Sequence, residues 1–285
     1  MISALSWTGE ALMETHASSI SNATSRGRFL LGEDWIQRAL GEHASVASFS
    51  AFSIALMSNQ APSDLVEDAL KAGLDEVRHS RISFDIASKL TGKEVGPGPL
   101  PESKLEFGQD LKALALAVAR EGCVDETLST FAAAVEVKHI TDVLNEGVQD
   151  TPYSSIDRDL LAFIRNALVT IAMDESNHSA LAWRTLNWVC SVDRNVCDAV
   201  YMDVFEESNL EMRFKQRAAS LFGETSSVLH SMRGEWKKIF KAHQGKPVPE
   251  SICNDDDMVH VGEDQSGQPL LTSVTESVLR QVSCI

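Results

Sequence analysis

The chain has 285 residues, and its 41 acidic side chains outnumber its 25 lysines and arginines, which gives a formal net charge of −16. A charge this negative argues against a nucleic-acid-binding protein, because Lys and Arg supply the attraction to phosphates. No apolar run approaches the roughly 20 residues that span a bilayer, so we expect no membrane-crossing segment. The length fits one large domain, or one domain with extensions.

The sequence contains five cysteines, Cys123, Cys190, Cys197, Cys253 and Cys284. None of them forms a Cys-x-x-Cys pair, which excludes a zinc ribbon and a rubredoxin-like iron site. An odd number in a long chain is also not typical of a disulfide framework. We therefore expect reduced thiols and a cytoplasmic protein. The Ser- and Thr-rich residues 1–28 leave targeting to an organelle open.

The middle of the chain predicts helices almost throughout, because Ala, Leu, Glu and Lys recur at spacings of three and four residues. The first predicted helix covers about residues 33–59 and ends at Gln60-Ala61-Pro62. The second begins at Ser63, a residue type favoured at N-caps, and runs to Thr91 with Gly92 just beyond its end.

Residues 96–101 read Gly-Pro-Gly-Pro-Leu-Pro and predict an extended connector, since this composition forms neither a helix nor a central strand. Two more long helices follow, at about 107–144 and from Thr151-Pro152 to about Cys190. Further helical stretches are predicted at about 196–220 and 226–242. The Pro- and Gly-containing, acidic sequence beyond residue 244 favours a loosely ordered tail, which closes with a short amphipathic segment at 270–282.

Four long helices with one long connection are typical of an all-α, ferritin-like four-helix bundle. A connector of about 14 residues reaches up to about 46 Å when extended, which is enough to run back along such a bundle. We therefore predict an N-terminal extension at 1–32, the bundle at 33–192, accessory helices at 193–243 and an acidic tail at 244–285.

The pattern Glu-x-x-His occurs three times, as Glu76/His79, Glu136/His139 and Glu175/His178. The first and last pairs lie in the middle of an apolar stripe of their predicted helices. A carboxylate on such a buried face needs a cation or a proton, so these two pairs indicate metal binding. The Glu136/His139 pair lies off the apolar stripe of its helix, and we expect it to face solvent.

The first and third predicted helices each add one buried acid, Glu42 and Glu121, with Glu126 as the alternative on the third helix. The sequences around Glu42 and Glu121 form a diverged repeat, because aromatic or aliphatic residues follow the two glutamates at the same spacings. Counting residues at about 1.5 Å of rise each places the acids and the Glu-x-x-His pairs at matching heights. Four carboxylates and two imidazoles at one level are the ligand set of di-iron or di-manganese proteins.

The strings Asp75-Glu76-Val77-Arg78-His79 and Asp174-Glu175-Ser176-Asn177-His178 resemble the D-E-x-R-H motif of the ferritin-like di-iron carboxylate superfamily. The resemblance covers about residues 33–190 and is to oxygen-activating members, such as bacterial multicomponent monooxygenases, ribonucleotide reductase small subunits and acyl-carrier desaturases. The surroundings of Glu42 and Glu121 also resemble a bacterial ferritin-like family of unassigned substrate.

This resemblance implies six metal ligands, Glu42, Glu76, His79, Glu121, Glu175 and His178. It also implies that Asp75 and Asp174 bond to ligand histidines and that Arg78 braces Asp75, whereas Asn177 stands where the second Arg would be. The implied cofactor is a pair of iron ions, with manganese or a mixed Mn/Fe pair as the alternative.

The implied function is a non-haem di-iron oxidase or oxygenase that activates dioxygen to oxidise a small organic substrate. Two alternatives stay open, an iron-handling ferroxidase or storage protein and a di-manganese catalase. The expected partners are dioxygen and a small-molecule substrate, and the sequence leaves an electron-donor protein and a homodimer open.

Overall fold

The computed structural model describes residues 23–100, 110–147, 151–206, 208–213 and 215. Every regular element in these ranges is a helix, which confirms the predicted all-α class. None of the helices in the described ranges is both long and apolar enough to cross a membrane.

The first two helices, α1 (Ala23–Ser58) and α2 (Ser63–Thr91), are joined by a short turn in which Gln60 takes a positive φ of 60°. Helix α1 begins within the segment that was predicted to be an N-terminal extension. Helix α2 begins and ends at the predicted residues, and Gly92 follows it with φ 70°, a left-handed conformation that favours glycine at a helix end.

The connector predicted from the Gly-Pro sequence has no regular structure over residues 94–100. The remainder of it, up to residue 109, lies outside the described residues. The prediction that this stretch interrupts the helical pattern is confirmed for its described part.

The third predicted helix consists of three consecutive elements, so a single α-helix over 107–144 is wrong in its middle. Helix α3 (Leu111–Ala117) starts at Asp110, whose side chain accepts a hydrogen bond from the backbone N–H of Ala113. A π-helical segment (Val118–Glu126) follows, and α4 (Thr127–Glu146) completes the element. A π-helix closes its hydrogen bonds five residues along the chain instead of four, so it changes which side chains share a face.

The fourth long helix, α5 (Arg158–Val192), follows a short 3₁₀ turn (Pro152–Ser155). Asp193 then caps the shorter α6 (Arg194–Val200), which continues into a second π-helical segment (Tyr201–Phe205). Residues 208–213 are helical again. The predicted helix at 226–242 and the predicted tail at 244–285 lie outside the described residues.

Contacts between Cα atoms divide the chain into two compact units. The described part of the first unit contains α1 up to Ser53, residues 70–100 and residues 139–147 and 151–167. Hydrogen bonds between residues distant in sequence stabilise it. Arg28 donates one to the carbonyl of Lys89, and Arg158 donates one to the carbonyl of Leu144.

The described part of the second unit contains residues 54–69, 110–138 and the residues from 168 onward. An ion pair joins Arg184 of α5 to Asp68 of α2 within this unit. Trp183, which is 1% exposed, stacks on Phe205 with ring centroids 5.3 Å apart. The second π-helical segment is therefore packed against α5.

A disulfide joins Cys190, near the end of α5, to Cys197 of α6. The expectation of reduced thiols is wrong for these two residues, because the turn at Asp193 brings their Cα atoms to 4.8 Å, within the range that a disulfide bridges. Cys123 is a free, buried thiol, as expected. The cysteine pattern therefore no longer supports a cytoplasmic location, and Cys253 and Cys284 lie outside the described residues.

Candidate metal centre

Glu42, Glu76 and His79 form one group of metal-binding side chains, referred to below as the first group. Each offers a ligand atom, and these atoms lie within 4.8 Å of one another. Nδ1 of His79 is 3.8 Å from Oε2 of Glu42 and 3.8 Å from Oε2 of Glu76. The side chains are 12%, 1% and 0% exposed for Glu42, Glu76 and His79, so the group is withdrawn from water.

Helix geometry explains how α2 presents this group. Glu76 and His79 are three residues apart and therefore point to the same side of the helix. Ala72 and Ser83 precede and follow them on that side, and both are buried. The apolar stripe read from the sequence is thus the buried face of α2.

Glu126, Glu175 and His178 form the second group, and their ligand atoms also lie within 4.8 Å of one another. Nδ1 of His178 is 3.4 Å from Oε2 of Glu175. Glu175 and His178 are buried on α5, while Glu126 is partly buried at the end of the first π-helical segment. Each group therefore contains a Glu-x-x-His pair and at least one further glutamate.

The distances within both groups fit a shared cation. Imidazole nitrogen and carboxylate oxygen bind a transition metal at about 2.0–2.2 Å, so two ligands of one ion lie about 3.0 to 4.2 Å apart. The measured separations of 3.4 and 3.8 Å fall in that range. They exceed the roughly 2.7–3.2 Å of a direct N–H···O hydrogen bond. The donor set and its spacing thus fit one metal ion in each group.

Glu121, the predicted ligand from the third helix, is not in either group, whereas the alternative Glu126 is. On an α-helix, residues five apart lie about 140° apart around the axis. The π-helical segment contains both glutamates and has wider turns, so it turns Glu126 away from the face that an α-helical pattern assigns to it. The structure therefore favours Glu126 as the partner of Glu175 and His178.

A pair of buried hydroxyls fixes the junction between the first π-helical segment and α4. Thr127 donates to the carbonyl of Cys123 at 2.7 Å, and its oxygen lies 2.6 Å from Oγ of Ser179. Since the Thr127 proton is used by the carbonyl, Ser179 is the donor between the two hydroxyls. Thr127 follows Glu126 and Ser179 follows His178, so this bond sets the spacing of the second group. The sequence pattern contained no signal for it.

Glu121 is exposed and lies among charged side chains, so the prediction of a buried acid at this position is wrong. Removal of water from its carboxyl group is the main cause that raises its pKa, and the charge of Asp125 raises the pKa further. Arg213 and Arg120 oppose these effects, and Nη2 of Arg213 lies 3.0 Å from Oδ2 of Asp125. Because Glu121 is exposed, solvent screens these interactions, and the charge on Glu121 is only slightly unfavourable in the folded chain.

Replacement of this carboxylate, Glu121→Gln, is expected to raise the melting temperature of the metal-free protein at pH 7. Because the pKa of Glu121 in the folded chain lies above its ordinary value of 4.5, the wild type loses stability as the pH rises from that ordinary value to the raised pKa, and loses no more above it. The variant avoids this loss, so its advantage should be present at pH 7 and absent at pH 4. Calorimetry at both pH values measures this, and an equal advantage at both would contradict the assigned cause.

The structure also locates the residues that the resemblance assigns to positions beside the ligands, and the third Glu-x-x-His pair. Nη2 of Arg78 lies 2.5 Å from Oδ1 of Asp75, so the arginine braces this aspartate as the resemblance implies. Asp174 is partly buried on α5, and Asn177 is exposed there. The third Glu-x-x-His pair belongs to neither group, and His139 is exposed and contacts the ring of Tyr153.

Comparison with known proteins adds no assignment, because no family model, no curated protein and no solved structure matches this chain.

Proposed function

We propose that this chain is a dinuclear non-haem iron oxidoreductase that uses dioxygen to oxidise a small organic substrate. In this proposal the four long helices form a ferritin-like bundle, and each group of ligands holds one of two neighbouring iron ions. The observation that carries the proposal is the presence of two groups of metal-binding side chains, each of which contains a buried Glu-x-x-His pair and a further, partly buried glutamate.

Charge balance supports one divalent ion in each group. The four different glutamates of the two groups carry a formal charge of −4, and the two neutral imidazoles add none, so two divalent cations neutralise them together. Burying Glu76 at 1% exposure or Glu175 at 4% without such a partner would be costly. The internal repeat of the sequence supports one Glu-x-x-His pair in each half, although its second glutamate, Glu121, is replaced by Glu126 in the second group.

The donor types favour iron or manganese over other metals. Carboxylates suit hard ions and imidazole suits transition metals, and iron accepts both. The absence of cysteine from both groups argues against a structural zinc site of the thiolate type. When bound, the iron pair supplies the redox chemistry and open positions for dioxygen.

The protein's own contribution in this proposal is to orient the ligands and to limit access. Arg78 holds Asp75, and Ser179 holds Thr127 beside the second group. Small buried residues, Ala39 and Ala72, lie about one turn before Glu42 and Glu76 and, in this proposal, leave room for a small substrate. Because an oxygenase needs electrons from outside at each turnover, we include an electron-donor protein in the proposal.

The test is to add two equivalents of Fe(II) per chain without oxygen, and then to admit oxygen. We expect rapid oxygen uptake that stops near one dioxygen per two irons when no reductant is present. Further Fe(II) should not accumulate in the protein. Continued accumulation of many irons per chain would instead show a storage protein. Rapid peroxide disproportionation by the manganese-loaded chain would show a catalase, and either result would contradict the proposal.

A further inference from the structure

Ser83 is a buried serine of α2 whose hydroxyl has no partner. The residue is 0% exposed, and its Oγ makes no hydrogen bond to any residue in the part of the chain that the structure describes. Buried polar atoms in folded proteins are almost always satisfied, so an exception calls for a bound molecule or a catalytic role. Leaving such a hydroxyl without a partner costs about as much as a lost hydrogen bond.

Other hydroxyls on the helices of this chain show what Ser83 could do instead. Buried or partly buried serines and threonines donate to the backbone carbonyl four residues earlier, as in Ser53 to Phe49, Ser88 to Phe84 and Thr185 to Leu181. That bond is available to any helical serine through a side-chain rotation. Ser83 does not form it with the carbonyl of His79, so its hydroxyl points elsewhere.

The position of Ser83 on the helix places it beside the first group. It follows His79 by four residues and Glu76 by seven, so all three share the buried face of α2. The rise of about 1.5 Å per residue puts Ser83 roughly 6 Å beyond His79 along the axis. The Cα–Cβ bonds of a helix lean toward its N-terminus, so the side chain of Ser83 leaves the backbone in the direction of His79.

We propose that the Ser83 hydroxyl donates a hydrogen bond to a small oxygen- or nitrogen-donor ligand bound at the metal ion of the first group, the position that dioxygen would take. This inference rests on the proposed function, because it requires a metal ion there. Glu42, Glu76 and His79 supply three ligand atoms and leave open positions at the ion. A hydroxyl one helical turn beyond His79 on the same buried face is suited to the outer atom of a bound diatomic or triatomic molecule.

The probe is azide, added to the iron-loaded and oxidised protein while its charge-transfer absorption is recorded. We expect Ser83→Ala to retain the iron content of the wild type and to bind azide about tenfold more weakly, since a hydrogen bond to a charged ligand is lost. Ser83→Thr keeps the hydroxyl and should restore affinity to within about threefold of wild type. Iron analysis of each variant shows whether the site has remained intact.

The matched control is Ser53→Ala. Ser53 is also buried, at 2% exposure, but its hydroxyl is already bonded to the carbonyl of Phe49. We expect azide affinity in this variant to equal that of the wild type. If Ser83→Thr fails to hold iron because its extra methyl group does not fit, the azide affinities of Ser83→Ala and Ser53→Ala alone test the inference.

Failure of the inference and failure of the proposed function give different results. A wild-type chain that binds no metal contradicts the proposed function and this inference with it. A wild-type chain that holds iron, with equal azide affinity in Ser83→Ala, overturns the role of Ser83 and leaves the metal centre standing. Iron-loaded wild type that binds no azide also overturns it, because the inference requires an open position at the ion.

Discussion

Glu76→Gln is expected to remove the metal ion of the first group while the chain still folds. Glutamine has nearly the shape of glutamate but neither its charge nor its strength as a ligand. Loss of a residue that only orients a metal ligand costs about 10–100-fold in affinity, so loss of the ligand itself should cost at least about 100-fold. Isothermal titration of Fe(II) or Mn(II) into the metal-free protein measures this change.

The melting temperature of metal-free Glu76→Gln is an independent test of the role of Glu76. Glu76 is 1% exposed, and its carboxylate is close to that of Glu42 through their shared neighbour His79. Removing a desolvated charge should leave the melting temperature of the metal-free protein unchanged or raise it. A large drop would show that Glu76 serves folding through a direct contact and not metal binding.

The matched control for this substitution is Glu136→Gln. Glu136 belongs to the third Glu-x-x-His pair, which has the same sequence spacing but lies in neither group of ligands. We expect its metal stoichiometry and affinity to equal those of the wild type. Equal losses in Glu76→Gln and Glu136→Gln would mean that the two groups are not the binding sites.

Gly122→Ala is expected to destabilise the protein by about 1–3 kcal/mol, because it overpacks a close contact between the first π-helical segment and α5. A Cβ atom at Gly122 would lie 2.4 Å from Cβ of Ala182, far inside van der Waals contact. Both atoms are attached directly to backbone, so one helix must move. Displacement of the π-helical segment also moves Glu126, and we expect weaker metal binding by the second group. Chemical denaturation and metal titration measure the two effects.

Gly41→Ala is the matched control, since Gly41 lies in the interior of α1 and nothing is within 4 Å of the position of its Cβ. Alanine has the higher helix propensity, so this variant should gain about 0.5–1 kcal/mol. Equal stabilisation by both substitutions would contradict the close packing at Gly122.

The first two helices were predictable because their ends depend on local chemistry. Ser63 and Gly92 mark the limits of α2, and Pro62 prevents α1 from continuing. The start of α1 was placed too late, because residues 23–32 were assigned to the Ser- and Thr-rich extension although the helix begins at Ala23. Periodicity of apolar residues was also sufficient to place Glu76, His79, Glu175 and His178 on buried faces.

Features that depend on packing between helices could not be read from the sequence. The π-helical segment at Val118–Glu126 has no local signature, and it is the reason that Glu126 and not Glu121 joins the second group. The disulfide depends on the turn at Asp193, which brings together two cysteines that are seven residues apart in the sequence. The lack of a hydrogen-bond partner for Ser83 also depends on where the neighbouring helices place their polar atoms, which the sequence does not give.

The most direct test of a two-metal centre is metal analysis of the wild-type protein, purified without added metal and again after loading with Fe(II). We predict about two ions per chain in the loaded wild type, with iron or manganese already present in the purified protein. His178→Ala and Glu76→Gln should each lower the loaded value, because each removes a ligand from a different group. Absence of bound metal from the loaded wild type would contradict the account and leave the buried carboxylates without the cation that it assigns to them.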